Sequence, residues 1–158
     1  MGTVNVMGRT DVGRQRANNE DAFLVAPELR LAVVADGMGG EACGEVASAI
    51  TVRTLEEAVA AAAGLMAAVR AANQRVVEES RMRPQCAGMG STVVAARWEG
   101  ARLEIVSVGD SRAYLYRGGA LTQLTYDQNL GNELRDSMGW TAEQVSRFPQ
   151  RNVLTAAI

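Results

Sequence analysis

Leu31-Ala32-Val33-Val34-Ala35-Asp36-Gly37-Met38-Gly39-Gly40 is the stretch on which the fold turns. The apolar run reads as a strand, and it stops abruptly at a carboxylate followed by a glycine-rich turn. A second apolar run, Leu103-Glu104-Ile105-Val106-Ser107-Val108, ends the same way in Gly109-Asp110-Ser111-Arg112. Carboxylates at strand ends, beside turns that cannot bury them, are the raw material of a hard-cation site. Upstream lies Arg16-Ala17-Asn18-Asn19-Glu20-Asp21, which adds two carboxylates and an arginine able to hold a phosphate by a bidentate contact. The combination points to phosphate-ester chemistry.

Working outward, residues 4–10 read as a first strand and 22–26 as a second, with Pro27-Glu28 turning into the strand at 31–35. The period then changes. Residues 44–63 read as a helix with Val46, Ile50, Leu55 and Val59 at roughly helical spacing, and the alanine-rich tract 58–63 reads as part of that helix, packing closely. Gly64 breaks it, and 65–79 form a second helix with Leu65, Val69, Ala72 and Val76 on one face. A short break between two helices predicts an antiparallel pair. Strands return at 91–98 and 102–108, and 113–117 with 120–124 form a hairpin about Gly118-Gly119. Residues 129–138 and 142–148 read as short helices around Gly139, and 153–158 as a strand or the start of one. Strands, two helices, then strands predict an α+β domain with helices laid on an antiparallel sheet.

Composition narrows the function. The chain has 158 residues, enough for one hydrophobic core, and its net charge of -2 argues against a nucleic-acid binder. No apolar run approaches a membrane span, and the N-terminus lacks the charged and apolar regions of a secretory signal, so a cytoplasmic setting is expected. Cys43 and Cys86 make neither a metal motif nor a disulfide framework; reduced thiols are expected, with a single bridge left open, and Cys43 reads as a small buried residue. There is no histidine, and all 16 basic residues are arginine. Ser-His, Cys-His, zinc-histidine, Walker-lysine and Schiff-base schemes are therefore absent. Carboxylates, arginine, hydroxyls and metal ions remain.

Thr10-Asp11-Val12-Gly13, Arg16 to Asp21, Ala35 to Gly40, Gly44-Glu45-Val46-Ala47, Gly88-Met89-Gly90-Ser91-Thr92 and Gly109-Asp110-Ser111-Arg112 stand in this order along the chain. In that order the chain resembles the bacterial metal-dependent serine/threonine phosphatases of the type 2C, or PPM, class, from about Thr10 onward. Each motif alone is weak; six in order are specific. The resemblance implies an αββα four-layer sandwich, in a single catalytic domain over residues 1–158 with a flap-like subregion at 125–152 that contributes to substrate binding. It implies two Mn²⁺ or Mg²⁺ ions, bridged by Asp36 and contacted by the Gly37 carbonyl. Glu20 and Asp21 would hold ions or their waters, and Asp110 a third, looser ion. Arg16 would bind phosphate. Two cations about 3.5–4 Å apart activate a bridging water and stabilise both the attacking and leaving oxygens, and this needs no histidine. The implied substrates are phosphoserine and phosphothreonine proteins, opposite a serine/threonine kinase.

Simpler readings exist for each residue. Arg16 with Glu20 or Asp21 reads as a surface ion pair, Asp36-Gly37 as a turn after a strand, Asp110-Ser111 as a turn or cap, and Gly88-Met89-Gly90 as a tight loop. Glu41 and Glu45 read as the acidic first turn of a helix. The joint order of motifs overturns the simpler reading for Arg16, Asp36 and Asp110.

The chain also departs from the family. Glu41 stands where the glycine-rich turn usually carries histidine, and Thr125-Tyr126-Asp127-Gln128-Asn129 lacks the histidine often found after an aspartate there. No Ser-Asp-Gly or Asp-Asn segment follows Asp110, although the family draws further metal aspartates from such segments. The expectation is a partial catalytic domain, or one completed by another chain, with unpaired sheet edges and uncovered apolar faces that favour self-association. A non-catalytic regulatory module on the same fold, and a phosphatase of small phosphoesters, are the alternatives.

Overall fold

The computed structural model describes residues 4–14, 16–40 and 43–158. Strands β1 (Asp21–Ala26) and β2 (Leu31–Met38) form an antiparallel hairpin whose register pairs Asp21 with Asp36 and Ala26 with Leu31. Its turn is a short 3₁₀ segment, Pro27–Leu29, closed by Arg30 in the left-handed region. Helices α1 (Cys43–Ala60) and α2 (Leu65–Met82) follow, then the two-residue strand β3 (Gly90–Ser91), β4 (Val93–Glu99) and β5 (Arg102–Val108). β2 is central: β1 lies on one side, and β4 then β5 on the other, with β3 extending the partner of β2 at its far end. β6 (Tyr114–Arg117) and β7 (Ala120–Gln123) make a separate hairpin, and α3 (Leu130–Met138) and α4 (Ala142–Ser146) complete the chain.

Strand alternation decides which face is covered. Leu31, Val33 and Ala35 of β2 are buried, and with Val93 and Ala95 of β4 they meet α1 and α2. α2 buries Leu65, Ala68, Val69, Ala72 and Val76, the expected face. α1 buries Ile50, Leu55 and Val59, but also a row of small residues, Gly44, Ala47, Ser48 and Thr51, that lets its first half lie close on the sheet. The opposite face carries Phe23, Val34 and Leu103, all substantially exposed.

Several expectations need correction. Residues 4–10 form no strand; they run as an irregular segment that brings Gly8 against the Phe23 ring on the open sheet face. The alanine tract is not a packed helix throughout: α1 ends at Ala60, and Ala61 and exposed Ala62, with φ 65°, belong to the turn. Residues 153–158 form no strand, but Leu154 bridges Asn129, and Ile158 exchanges both backbone hydrogen bonds with Ser91 at 2.8 and 3.1 Å. Gly90–Ser91 is a strand on β2 rather than part of a tight loop. Cys43 and Cys86 are both buried and form a disulfide, with Cα atoms 5.4 Å apart. The fold brings the start of α1 against the turn before β3, which spacing along the chain does not reveal. Glu41 lies outside the described residues. Among the described residues, no helix is long and apolar enough to cross a membrane.

Candidate metal and phosphate site

The site is built where β2 runs out. Asp36 is half-buried near the end of β2, and the register sets it opposite Asp21, so the two carboxylates share the sheet face away from the helices. Like charges directly opposite each other cost stability unless something positive answers them. Asn19 fixes the approach to Asp21: its Oδ1 accepts from the Asp21 N–H at 3.1 Å, and its Nδ2 donates to Thr10 Oγ1 at 2.8 Å.

Glu20 is tied to both β2 and α1. Its carbonyl accepts from the Gly37 N–H at 3.0 Å and from Ser48 Oγ at 2.6 Å. Gly37 and Gly44 permit this approach: a β-carbon on Gly44 would lie 2.5 Å from Glu20 Oε1 and 2.8 Å from the Gly37 carbonyl oxygen. Glu45, exposed in the first turn of α1, fills the helix-start role expected of it.

Asp110 follows β5 in a turn entered through Gly109 at φ 94°, a conformation glycine adopts without strain. Gln128 clamps this turn from both sides: its Oε1 accepts from the Gly109 N–H at 2.7 Å, and its N–H donates to the Gly109 carbonyl at 3.0 Å. Buried Asp127 accepts from Arg112 Nε at 2.9 Å, from Arg112 Nη2, and from Gln123 Nε2 at 3.0 Å. Arg112 is thus committed to the hairpin rather than to the cleft.

Burial, then the Asp21 carboxylate, push the Asp36 carboxyl above its ordinary range; Asp110 and Glu20 add to this, and the Arg16 guanidinium opposes it. Arg16 itself is mostly exposed and pairs with Glu20 at 3.2 Å. Asp36 and Asp21 open into a cleft of about 310 Å³ bordered by Ser111 and the Arg9–Asp11 segment. Among the described residues, no three acidic side chains converge tightly enough to cage an ion by themselves.

Comparison with known proteins decides the family. The protein phosphatase 2C family model matches residues 10–156. The chain belongs to the protein phosphatase 2C family. It is 42% identical over 156 residues to the serine/threonine protein phosphatase PstP of Mycobacterium tuberculosis, covering 95% of this chain and 30% of PstP. The crystal structure of that phosphatase superposes with a TM-score of 0.84 at 41% identity, covering 94% of this chain and 65% of the crystallised one. The PstP catalytic domain in complex with two manganese ions gives a TM-score of 0.80 at 39% identity. The chain thus spans less than two thirds of these relatives.

Membership makes the donor set intelligible. Asp36 has the carboxylates of Asp21, Asp110 and Glu20 for electrostatic neighbours and is followed in the chain by the Gly37 carbonyl, all oxygen donors of the kind Mn²⁺ and Mg²⁺ take, and Mg²⁺-type sites commonly use only one or two protein carboxylates with water filling the rest. The residues present therefore fit a divalent cation in chemistry. The charges of Asp21, Asp110 and Glu20 all act on Asp36. Arg16 forms the ion pair offered as its simpler reading and still lies near enough to act on Asp36. Sequence reasoning missed Thr92, Ser111 and Gln128 as parts of the site. Thr92 and Ser111 stand inside quoted motifs, and Gln128 inside the quoted segment Thr125 to Asn129, so each carried a signal of position but none of its role.

Proposed function

We propose that this chain carries the metal-dependent centre of a protein phosphatase that hydrolyses phosphoserine and phosphothreonine on proteins. The observation that supports it most is the crowding of Asp36 by Asp21, Asp110 and Glu20, opposed by one arginine, in a family member similar to a phosphatase described with two manganese ions. Asp36 and the Gly37 carbonyl would hold Mn²⁺ or Mg²⁺, assisted by Glu20 and Asp21, with Asp110 serving a further ion. Divalent cations bound there would lower the pKa of a water enough to supply hydroxide at neutral pH and would offset phosphate charge. Arg16, on exchanging Glu20 for substrate, grips the phosphate oxygens in a bidentate contact and aligns the phosphorus with the cleft. These 158 residues hold no histidine or lysine side chain, so none of them offers an imidazole or side-chain ammonium to the leaving alkoxide. Residues 125–152 act as a flap over the substrate, and the substrates are products of serine/threonine kinases in the cytoplasm.

Hydrolysis of an aryl phosphate and of a phosphothreonine peptide with added Mn²⁺ tests this reading. Arg16→Ala should raise KM about tenfold with kcat little changed; unchanged constants would remove the phosphate-binding role. A second reading, a non-catalytic binding module, is favoured by the lack of three converging acids among the described residues. It predicts a folded chain with no Mn²⁺-dependent turnover of either substrate.

A further inference from the structure

Thr92 occupies a position where the sheet ladder is rewired. β2 pairs Val34 with Val94 and Gly37 with Ser91, so the continuous register sets Asp36 opposite Thr92. An antiparallel pair of this kind ordinarily exchanges two backbone hydrogen bonds. Here the Thr92 N–H donates to the Asp36 carbonyl at 2.8 Å, but the Asp36 N–H donates to the Thr92 side-chain Oγ1 at 2.9 Å. The Thr92 carbonyl instead accepts from Ser91 Oγ at 2.8 Å. Thr92 Oγ1 also shares a hydrogen bond with Ser111 Oγ at 2.7 Å, one residue beyond Asp110. The Thr92 methyl is used as well: a β-carbon on Gly109 would lie 2.7 Å from it. Both branches of one fully buried side chain therefore join the backbone of Asp36 to the turn that carries Asp110.

We propose that Thr92 is a positioning residue that locks Asp36 and the Asp110 turn into one arrangement, so that displacement of either carboxylate is transmitted to the other. What it positions, a metal centre, rests on the function proposed above; the coupling itself rests on the hydrogen bonds. A β-branched residue with a hydroxyl is required, because the hydroxyl must accept from Asp36 and reach Ser111 while the methyl fills the space that Gly109 leaves. Valine matches the shape but supplies no polar atom, which leaves the buried Asp36 N–H unpaired.

The test is amide hydrogen exchange on the metal-free chain, read at residues 36–38 and 109–112, together with Mn²⁺ titration, in Thr92→Val, Thr92→Ser and Ser111→Ala. Thr92→Val should accelerate exchange in both segments at least tenfold and weaken Mn²⁺ binding about tenfold, the lower end of the effect of groups that orient metal ligands. Thr92→Ser, which keeps the hydroxyl, should retain most of the protection and the affinity. Ser111→Ala, which leaves the sheet ladder intact, should accelerate exchange at 109–112 alone, and it decides the matter should Thr92→Val fail to fold. Unchanged exchange at 109–112 in Thr92→Val or Ser111→Ala, or a Thr92→Ser as damaged as Thr92→Val, overturns the coupling. A parent chain that binds no Mn²⁺ contradicts the proposed function, and the exchange data then decide the coupling alone.

Discussion

A β-carbon on Gly44 would lie 2.8 Å from the carbonyl oxygen of Gly37, so the start of α1 and the end of β2 meet with no room for a side chain between them. An alanine inside a helix normally gains about 1 kcal/mol over glycine. At Gly44 the order reverses, because the methyl pushes against a β2 carbonyl and the Glu20 carboxylate. Gly44→Ala should destabilise the fold by about 1–3 kcal/mol, seen as a lower urea midpoint. A midpoint at or above the parent value would mean that α1 shifts without cost.

Asp36 illustrates a conflict between stability and chemistry. Its carboxyl is held above the ordinary range by burial first and the Asp21 charge second. The folded state therefore binds this proton more tightly than the unfolded chain. Stability contributed by the protonated carboxyl is lost as pH rises from the unfolded value of 3.8 through the raised folded value, and the deficit persists at neutral pH. Asp36→Asn should raise the metal-free Tm at pH 7 by about 1–3 °C, a small shift because solvent screens a half-exposed site. The increment should shrink as pH is lowered toward 4. Thermal scans across that range check both the sign and the trend.

The Cys43–Cys86 bridge closes a loop of 43 residues that contains both long helices. Loop-closure entropy for that length is worth about 4 kcal/mol in the unfolded chain. Reduction, or Cys43→Ser with Cys86→Ser, should lower Tm by well over 5 °C in a domain of this size. An equal Tm under oxidising and reducing conditions would show that the fold does not draw on the bridge.

Asp127 gathers Arg112 and Gln123 onto one buried carboxylate, and its carbonyl accepts from Asn132 Nδ2 at 2.9 Å. Asp127→Ala removes the acceptor shared by Arg112 and Gln123, leaves the Asn132 bond to the backbone carbonyl in place, and should cost about 1–2 kcal/mol. The loss should concentrate in the β6–β7 hairpin and α3, where limited proteolysis would cut first. Cleavage rates equal to the parent's would place the anchoring elsewhere.

Much of this architecture was readable because it is local. The unbroken apolar run at 31–35 and the helical spacing at 65–79 are carried by neighbouring residues, and the Gly118-Gly119 hairpin is dictated by two positive φ angles of 59° and 81°. Order along the chain likewise carried the family, since the motifs keep their sequence even where single residues differ. What escaped was non-local. Residues 4–10 look like a strand, but no neighbour completes their ladder, and they lie across the open sheet face instead. The disulfide depends on where two turns meet. Thr92 reads as an ordinary residue of the strand at 91–98 until the register sets it opposite Asp36, and Gln128 gains meaning only from Gly109, 19 positions away.

The central claim is that Asp36 sits at a divalent-cation site, and direct Mn²⁺ titration of the folded chain and of Asp36→Asn, by calorimetry with Mn²⁺ electron paramagnetic resonance as a second readout, tests it without requiring turnover. The parent chain should bind Mn²⁺ saturably, and Asp36→Asn, whose fold remains intact and slightly more heat-stable, should lose at least tenfold in affinity. Absence of binding by the parent, or equal binding by both proteins, would contradict it.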